Sequence, residues 1–432
     1  MKRIISIIAA TLVCFTMCIG FTGCGGGTDL YILSSRPEDD EYYRWLEAEF
    51  EAEYNCNIDL STVTTDQYTN TVNAQLRADS VDVFSAESTH LFDEGIYTKM
   101  LNLDDMSYNA KITDYAEKYS KLDGSWKICP LNVVTFVVFY NKTVFAKNNL
   151  SEPTTWDEFM DICDALSNDS DLTAPILYCG LESWPINMIT SSIEYPVVRS
   201  VDPDYYYNVW VEGTQRFDQA GGLYEEYFDK AKELFCYVQE NCTGVSYGEK
   251  SRLFAKSSFG MTIDGSWAYR DLAAAVDGKF EIGSFVLPAS DNAENNTKAA
   301  GKMGGGWAIN KDSPNIELAK KFLEFQMRED IYQKYLDMVQ MDSTIEGMKS
   351  SVAEISNIYR YETVLNFENY KINGFNYQMQ NSYGTDIIKG TAKTSTLLSA
   401  IQADNDSSRN IWSQTKNLNS WIKLMHPEKT NV

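Results

Sequence analysis

Two histidines, His90 and His426, are all that this 432-residue chain contains. A histidine-based catalytic triad or a zinc site is therefore not expected, and His90 reads as a loop residue. Other enzyme signatures are missing too. There is no G-x-x-x-x-G-K-[ST] loop, no G-x-S-x-G elbow and no H-E-x-x-H helix. Asp404-Asn405-Asp406 lacks the glycine and the terminal glutamate of a calcium loop, so no metal and no cofactor is expected. Glycosidases need only two carboxylates, so composition alone leaves an exported glycan hydrolase open. Basic residues are in deficit: 37 against 61 acidic, a formal charge of −24. Such a surface repels nucleic acid and anionic lipid and keeps the chain soluble.

The chain is 44% apolar and 13% aromatic, too apolar to be disordered and ample for a sizeable core. Its length implies roughly two to three domains of about 150 residues. Long apolar runs are scarce except at the start. Lys2 and Arg3 precede the run Ile4 to Ile19, and Gly20-Phe21-Thr22-Gly23-Cys24 follows. A basic segment, a short apolar segment and small residues before the cut describe an export signal over 1–23. Removing it leaves 35 basic residues against 61 acidic, or −26. Cys24 after Thr22-Gly23 is similar to the bacterial lipobox, although Phe21 stands where leucine is commonest. The resemblance implies that Cys24 is lipidated and starts the mature chain, with 24–28 as a flexible tether. Six cysteines remain beyond it. Cys163, on an apolar helix face, reads as a buried thiol. Cys236 and Cys242 are close enough in sequence to be the one disulfide worth naming.

From residue 30 the pattern alternates strand and helix. Leu30–Leu33 reads as a strand. Tyr42, Trp45, Leu46 and Phe50 recur at helical spacing. Asn57–Leu60 is a second strand, Asp66–Ala78 a helix and Val81–Phe84 a third strand. This order predicts a parallel α/β lobe. Arg36 follows the first strand, and Glu87 lies three residues beyond the third. Both positions lie outside the carboxyl ends of strands, where open α/β sheets bind ligands. Val134–Phe139 suits a strand buried on both faces. Thr155 with Glu158 three residues on predicts a capped helix with Trp156, Phe159, Met160, Cys163 and Leu166 as its buried stripe. Gly180–Pro185 is a loop, and Tyr205–Trp210 has no clear period. Glu281–Leu287 reads as a strand and Pro288–Gly301 as a polar connection. Ser313 is expected to cap a helix with Pro314 in its first position.

Several stretches together resemble the family 1 extracellular solute-binding proteins, the sugar-binding subunits of ABC importers. The first is Pro130-Leu131-Asn132, then Val137-Val138-Phe139-Tyr140-Asn141, Phe145 and Lys147. Thr155-Trp156-Asp157-Glu158 follows, then Phe254, Phe259-Gly260-Met261 and Gly265-Ser266-Trp267. Gly304-Gly305-Gly306 leads into Ala319, Phe322-Leu323 and Phe325, and Ile387-Ile388-Lys389-Gly390 with Leu397-Leu398 closes the series. The motifs stand in the family's order. The resemblance implies the type II periplasmic-binding-protein fold, two α/β lobes joined by crossing hinge segments. Lobe 1 would hold 28–132 and 296–342, lobe 2 would hold 133–295 and 343–432, and Pro288–Gly301 would be a second crossing.

It also implies a lipid-anchored, monomeric binding protein that delivers a carbohydrate, an oligosaccharide in particular, to membrane permease subunits. Alternatives are a non-sugar solute such as a polyol phosphate or peptide, a surface glycan hydrolase, or an adhesin. Sugars need charge-assisted partners for their hydroxyls and flat apolar partners for their ring faces. Trp267, three residues after Asp264, and Trp184, two after Glu182, set an aromatic beside a carboxylate in loops. The family resemblance raises Trp267 above packing and brings in Tyr377 near a family aromatic contact. The ligand-binding set is thus Trp267, Glu182, Trp184, Glu87, Asp264, Trp307, Tyr377 and Arg36, with Trp307 equally able to face the core.

Overall fold

The computed structural model describes residues 27–365 and 383–412, together with 422, 426 and 429. The signal segment, Cys24 and Tyr377 lie outside the described residues.

Strands and helices alternate from the start. β1 (Leu30–Ser34) leads into α1 (Asp40–Tyr54), β2 (Ile58–Thr62), α2 (Thr65–Arg77) and β3 (Val83–Ser85). The stripe of α1 buries Tyr42, Leu46 and Phe50, as its spacing predicts, and Tyr43 beside them, while Trp45 is half-buried. β3 starts two residues later than its apolar run, because Asp82 turns inward. That carboxylate accepts from the Tyr31 amide at 2.8 Å and the Ser313 hydroxyl at 2.5 Å. It is a structural brace.

β4 (Cys129–Asn141) runs well beyond its Val134–Phe139 centre, and all thirteen of its residues are buried. A strand buried on both faces needs no alternation, so the sequence shows its middle and hides its ends. α3 (Trp156–Ser167), β5 (Ala174–Leu177), α4 (Ile186–Glu194) and α5 (Leu223–Phe235) follow. Thr155 caps α3 by accepting from the Glu158 amide at 3.3 Å. Glu158 reaches back one residue further than a capping box, to the Thr154 amide at 2.7 Å. The patternless stretch from Tyr205 is a helical turn (Tyr205–Tyr207) followed by a π-turn (Asn208–Glu212). Its rings bury themselves against Phe217 and Tyr224, so packing sets this segment and no single period survives.

The chain continues through α6 (Lys250–Phe254), β6 (Phe259–Gly265), α7 (Ala268–Val276), β7 (Ile282–Phe285), β8 (Lys298–Ile309), α8 (Ile316–Gln326), α9 (Glu329–Val339) and β9 (Glu362–Leu365). Two expectations fail here. Pro288–Gly301 is not all connection, since Lys298–Gly301 already pairs with β9. Ser313 does not cap α8 and Pro314 is not its first residue. The helix starts at Ile316 with Asn315 at its cap, and the Ser313 hydroxyl is spent on Asp82 and on accepting from the Asn315 amide at 2.9 Å. The Cys236–Cys242 disulfide is also absent. Cys236 is exposed at the end of α5, Cys242 is buried, and all six described cysteines are free thiols. Cys163 is buried in the core.

Nine of the described strands form a mixed sheet in the order β2-β1-β3-β8-β4-β6-β5, with β9 beside β8 and β7 beside β4, while Lys121–Leu122 and Ser125–Trp126 pair separately. β4 is the common member. Its residues from Cys129 to Thr135 pair with β8, and those from Phe136 to Asn141 pair with β6 and β7. Gly304 lies where the β8 register shifts. A Cβ there would sit 2.2 Å from Val134 Cγ2, so glycine is required for the two strands to approach.

Candidate functional site

Two polar and aromatic clusters lie along one face of β4, the first beside β8 and the second beside β6. Val134 of β4 lies opposite Lys302 and Phe136 lies opposite Gly265. Alternate residues of a strand share a face, so Val134 and Phe136 stand about 7 Å apart on it.

The first cluster hangs from the carboxyl ends of β1 and β3. Arg36 Nε donates to Asp39 at 2.7 Å and its Nη1 to the Gly304 carbonyl at 3.1 Å. Glu87 pairs with Lys302 Nζ at 2.7 Å. The Glu87 amide donates to His90 Nδ1 at 2.9 Å, which holds this turn. Burial works against the Glu87 charge, yet Lys302, with His90 and Arg36, keeps its carboxyl below the ordinary range. It is ionised at neutral pH.

The second cluster hangs from the carboxyl ends of β5 and β6. Trp267 is half-buried at the start of α7, and a Cβ on Gly265 would meet its ring at 2.0 Å, so only glycine lets the indole lie there. Phe136 meets Trp267 edge-on at 6.0 Å, and Trp184 stands 6.4 Å from it at 49°. Trp184 also packs on Tyr247, with ring centroids 4.5 Å apart. Glu182 accepts from Ser246 Oγ and from the Tyr247 amide, both at 2.8 Å. Its carboxyl stays below the usual range: desolvation pushes up, and those two donors outweigh it. Asp264 is fully buried, bonded to Lys250, to Tyr247 Oη at 3.2 Å and to the Gly265 amide at 2.7 Å. Burial raises its carboxyl and the Lys250 ammonium opposes this.

One contact joins the clusters. Arg270, three residues past Trp267, reaches Asp39 Oδ1 at 3.4 Å and the Glu38 carbonyl at 3.0 Å. Asp39 is thus shared by an arginine from each side.

The structure therefore brings together Arg36, Glu87, Glu182, Trp184 and Trp267. Asp264 lies behind this group with its oxygens engaged. Trp307 is apart, 1% exposed and wedged between Tyr43 at 5.8 Å and Phe322 at 6.0 Å. It faces the core because it lies on β8 beside Ser85, where α1 and α8 cover the sheet. Tyr247, Lys250, Arg270 and Lys302 were missed. Arg270 and Lys302 adjoin recognised motifs and were accessible to sequence reasoning, whereas Ser246-Tyr247-Gly248 carries no signal. A cavity of about 770 Å³ lined by Tyr115, Tyr119, Tyr195, Arg199, Asp342 and Thr363 includes Val133, which alternates with Val134 and so points away from the clusters. Among the described residues no three His, Cys, Asp or Glu side chains form a metal-binding group, and no helix is long and apolar enough to cross a membrane.

Comparison with known proteins agrees with this architecture. Residues 45–357 match the family model described as bacterial extracellular solute-binding protein. The multiple sugar-binding protein of Streptococcus mutans is 27% identical over 245 residues, 54% of this chain and 55% of that one. The chain thus spans about half the length of this relative. The melibiose/raffinose/stachyose-binding protein MelE of Bacillus subtilis is 20% identical over 341 residues, 78% of each. Among solved structures, the binding protein RafE in complex with raffinose superposes with a TM-score of 0.75 at 18% identity, covering 88% of this chain and 99% of that one. The fold is that of the type II periplasmic binding proteins.

Proposed function

The chain belongs to the bacterial extracellular solute-binding proteins, and from that premise we propose that it captures an oligosaccharide outside the cytoplasm and delivers it to an ABC importer. Membership in a family of binding proteins sets aside the glycan-hydrolase alternative. The observation that carries the proposal is the wall formed by Trp184, Tyr247 and Trp267 beside the charged groups of Arg36, Glu87 and Lys302. Flat apolar rings cover sugar ring faces, while fixed donors and acceptors take the hydroxyls. The sugars named for the relatives set the first candidates, namely melibiose, raffinose and stachyose.

In this reading the chain has two lobes, 28–132 with 296–342 and 133–295 with 343–432. β4 crosses between them, because it pairs with one half of the sheet up to Thr135 and with the other from Phe136. A sugar touching both lobes favours the arrangement in which they meet, by its differential affinity for that state. Cys24 carries the lipid that holds the monomer at the outer face of the cell membrane.

A thermal-shift panel of melibiose, raffinose, stachyose, xylo-oligosaccharides and chito-oligosaccharides tests the proposal, since ligand bound to the native state raises the melting temperature. One member should raise it by several degrees and be recovered intact after prolonged incubation. A flat response across the panel overturns the carbohydrate reading.

A further inference from the structure

Glu182, Trp184, Asp264 and Trp267 meet at one residue that no motif marks, Tyr247. Its amide donates to Glu182 at 2.8 Å and its ring lies 4.5 Å from Trp184. The Lys250 ammonium sits 4.0 Å from the ring centroid on its way to Asp264. The hydroxyl donates to Asp264 at 3.2 Å and accepts from Trp267 Nε1 at 2.6 Å.

These contacts use the phenol fully. A hydroxyl has one proton to give and lone pairs to receive. Burial and the neighbouring Asp264 carboxylate hold the Tyr247 hydroxyl well above its ordinary pKa, so it keeps its proton at neutral pH. That proton goes to Asp264, which leaves the lone pairs for the indole N–H. Removing the hydroxyl alone leaves Asp264 its bonds to Lys250 and to the Gly265 amide. The indole of Trp267 loses its acceptor.

We propose that Tyr247 is the positioning residue of the aromatic wall, fixing the plane of the Trp267 indole against Trp184 before any sugar arrives. The proposal rests on the reading of Trp267 as a sugar-stacking residue. Holding an aromatic in its bound orientation removes an ordering cost that binding would otherwise carry. A tyrosine that merely fills space would be replaced by phenylalanine without consequence for the indole.

The test compares the wild type, Tyr247→Phe, Trp267→Phe and the double variant. In ligand-free protein labelled with ¹⁵N-indole tryptophan, the Trp267 N–H resonance is identified by its loss in Trp267→Phe. Tyr247→Phe should shift it and speed its hydrogen exchange by about tenfold or more, because a hydrogen-bonded N–H has become free. An unmoved resonance overturns the proposal. Calorimetric titration with raffinose, or with whichever panel sugar gives the thermal shift, supplies the second arm. Tyr247→Phe should weaken binding by about five- to tenfold in the wild-type background and by less than about twofold when Trp267 is already phenylalanine. Equal losses in both backgrounds would show that Tyr247 acts independently of Trp267 and would also overturn it. If no panel sugar binds, the transport reading fails while the indole resonance still decides the role of Tyr247.

Discussion

Replacing Trp267 with alanine separates a ligand contact from a core residue, because different free energies fall. The indole is half-buried, packed on the edge of Phe136 and beside Trp184, and its one polar atom is bonded to Tyr247. Truncation leaves no orphaned buried group, since Tyr247 still donates to Asp264. The cost to folding should therefore stay below the roughly 3–5 kcal/mol of a fully buried tryptophan. The cost to binding has two parts. Stacking is worth about 0.5–1.5 kcal/mol beyond burial, and covering a sugar face adds about 1–2 kcal/mol at roughly 25 cal/mol per Å². Together these predict affinity falling about ten- to several hundred-fold, equivalent to about 1.5–3.5 kcal/mol. Trp307→Ala is the internal control: that ring is buried between Tyr43 and Phe322. It should lose about 3–5 kcal/mol of stability while its folded fraction binds sugar normally. Calorimetric titration and denaturant unfolding of both ligand-free variants give the four numbers. Sugar affinity within threefold of wild type in Trp267→Ala, alongside a strongly destabilised fold, would refute the reasoning and leave Trp184 as the leading aromatic.

Three further expectations follow from other parts of the molecule. Arg270→Met removes the bridge to Asp39 and Glu38 and should weaken the arrangement in which the proposed lobes touch by about 0.5–1.5 kcal/mol; solution scattering should show a larger ligand-free radius of gyration, and an unchanged radius with unchanged affinity would dismiss the bridge. Burial pushes the Asp342 carboxyl up to about 6, opposed by the Ser343 amide and Lys349, so the folded chain binds the extra proton and this contribution to stability is lost as pH rises from about 4 through 6. Asp342→Asn should then stabilise by about 1–3 kcal/mol at pH 7 and by almost nothing near pH 4, and a pH-independent difference in unfolding would contradict this. Cys24→Ala should move the protein from the membrane fraction to the soluble one, whereas unchanged attachment would sink the lipid anchor.

The legible parts of the fold were those governed by local rules. α1 and α3 show themselves by apolar spacing, and β1 to β3 by short strand-like stretches alternating with helical patterns. What stayed hidden depends on distant partners. Lys298–Gly301 looks like linker because its strand is defined by β9, more than sixty residues later. Ser313 has the chemistry of a cap, but a buried carboxylate from residue 82 claims its hydroxyl. The site divides the same way. Glu87, Arg36 and Trp267 follow from strand ends and recognised motifs. Tyr247 comes from a segment without pattern, carried to the others by the packing of Trp184 and the bond to Asp264.

Charge pairing in the site bears on the kind of solute it accepts. Arg36 and Arg270 share Asp39, Lys302 is matched by Glu87, and Lys250 by Asp264. A charged ligand group would compete with the partners that already hold these charges, and displacing one would strand a buried charge at a cost of several kcal/mol. Hydroxyl groups make no such demand. Each can donate to Glu87 or Glu182 and accept from Arg36 or Lys302 while the ion pairs stay intact, gaining charge-assisted bonds at both ends. A phosphate would also approach carboxylates at Glu87 and Glu182, both held in the ionised form. The same charges that make the site strongly polar therefore favour a neutral, hydroxyl-rich solute, and the Trp184–Trp267 wall adds the demand that it present flat apolar faces. Of the solutes weighed for a binding protein of this kind, a polyol phosphate fails the first condition, and a neutral oligosaccharide meets both.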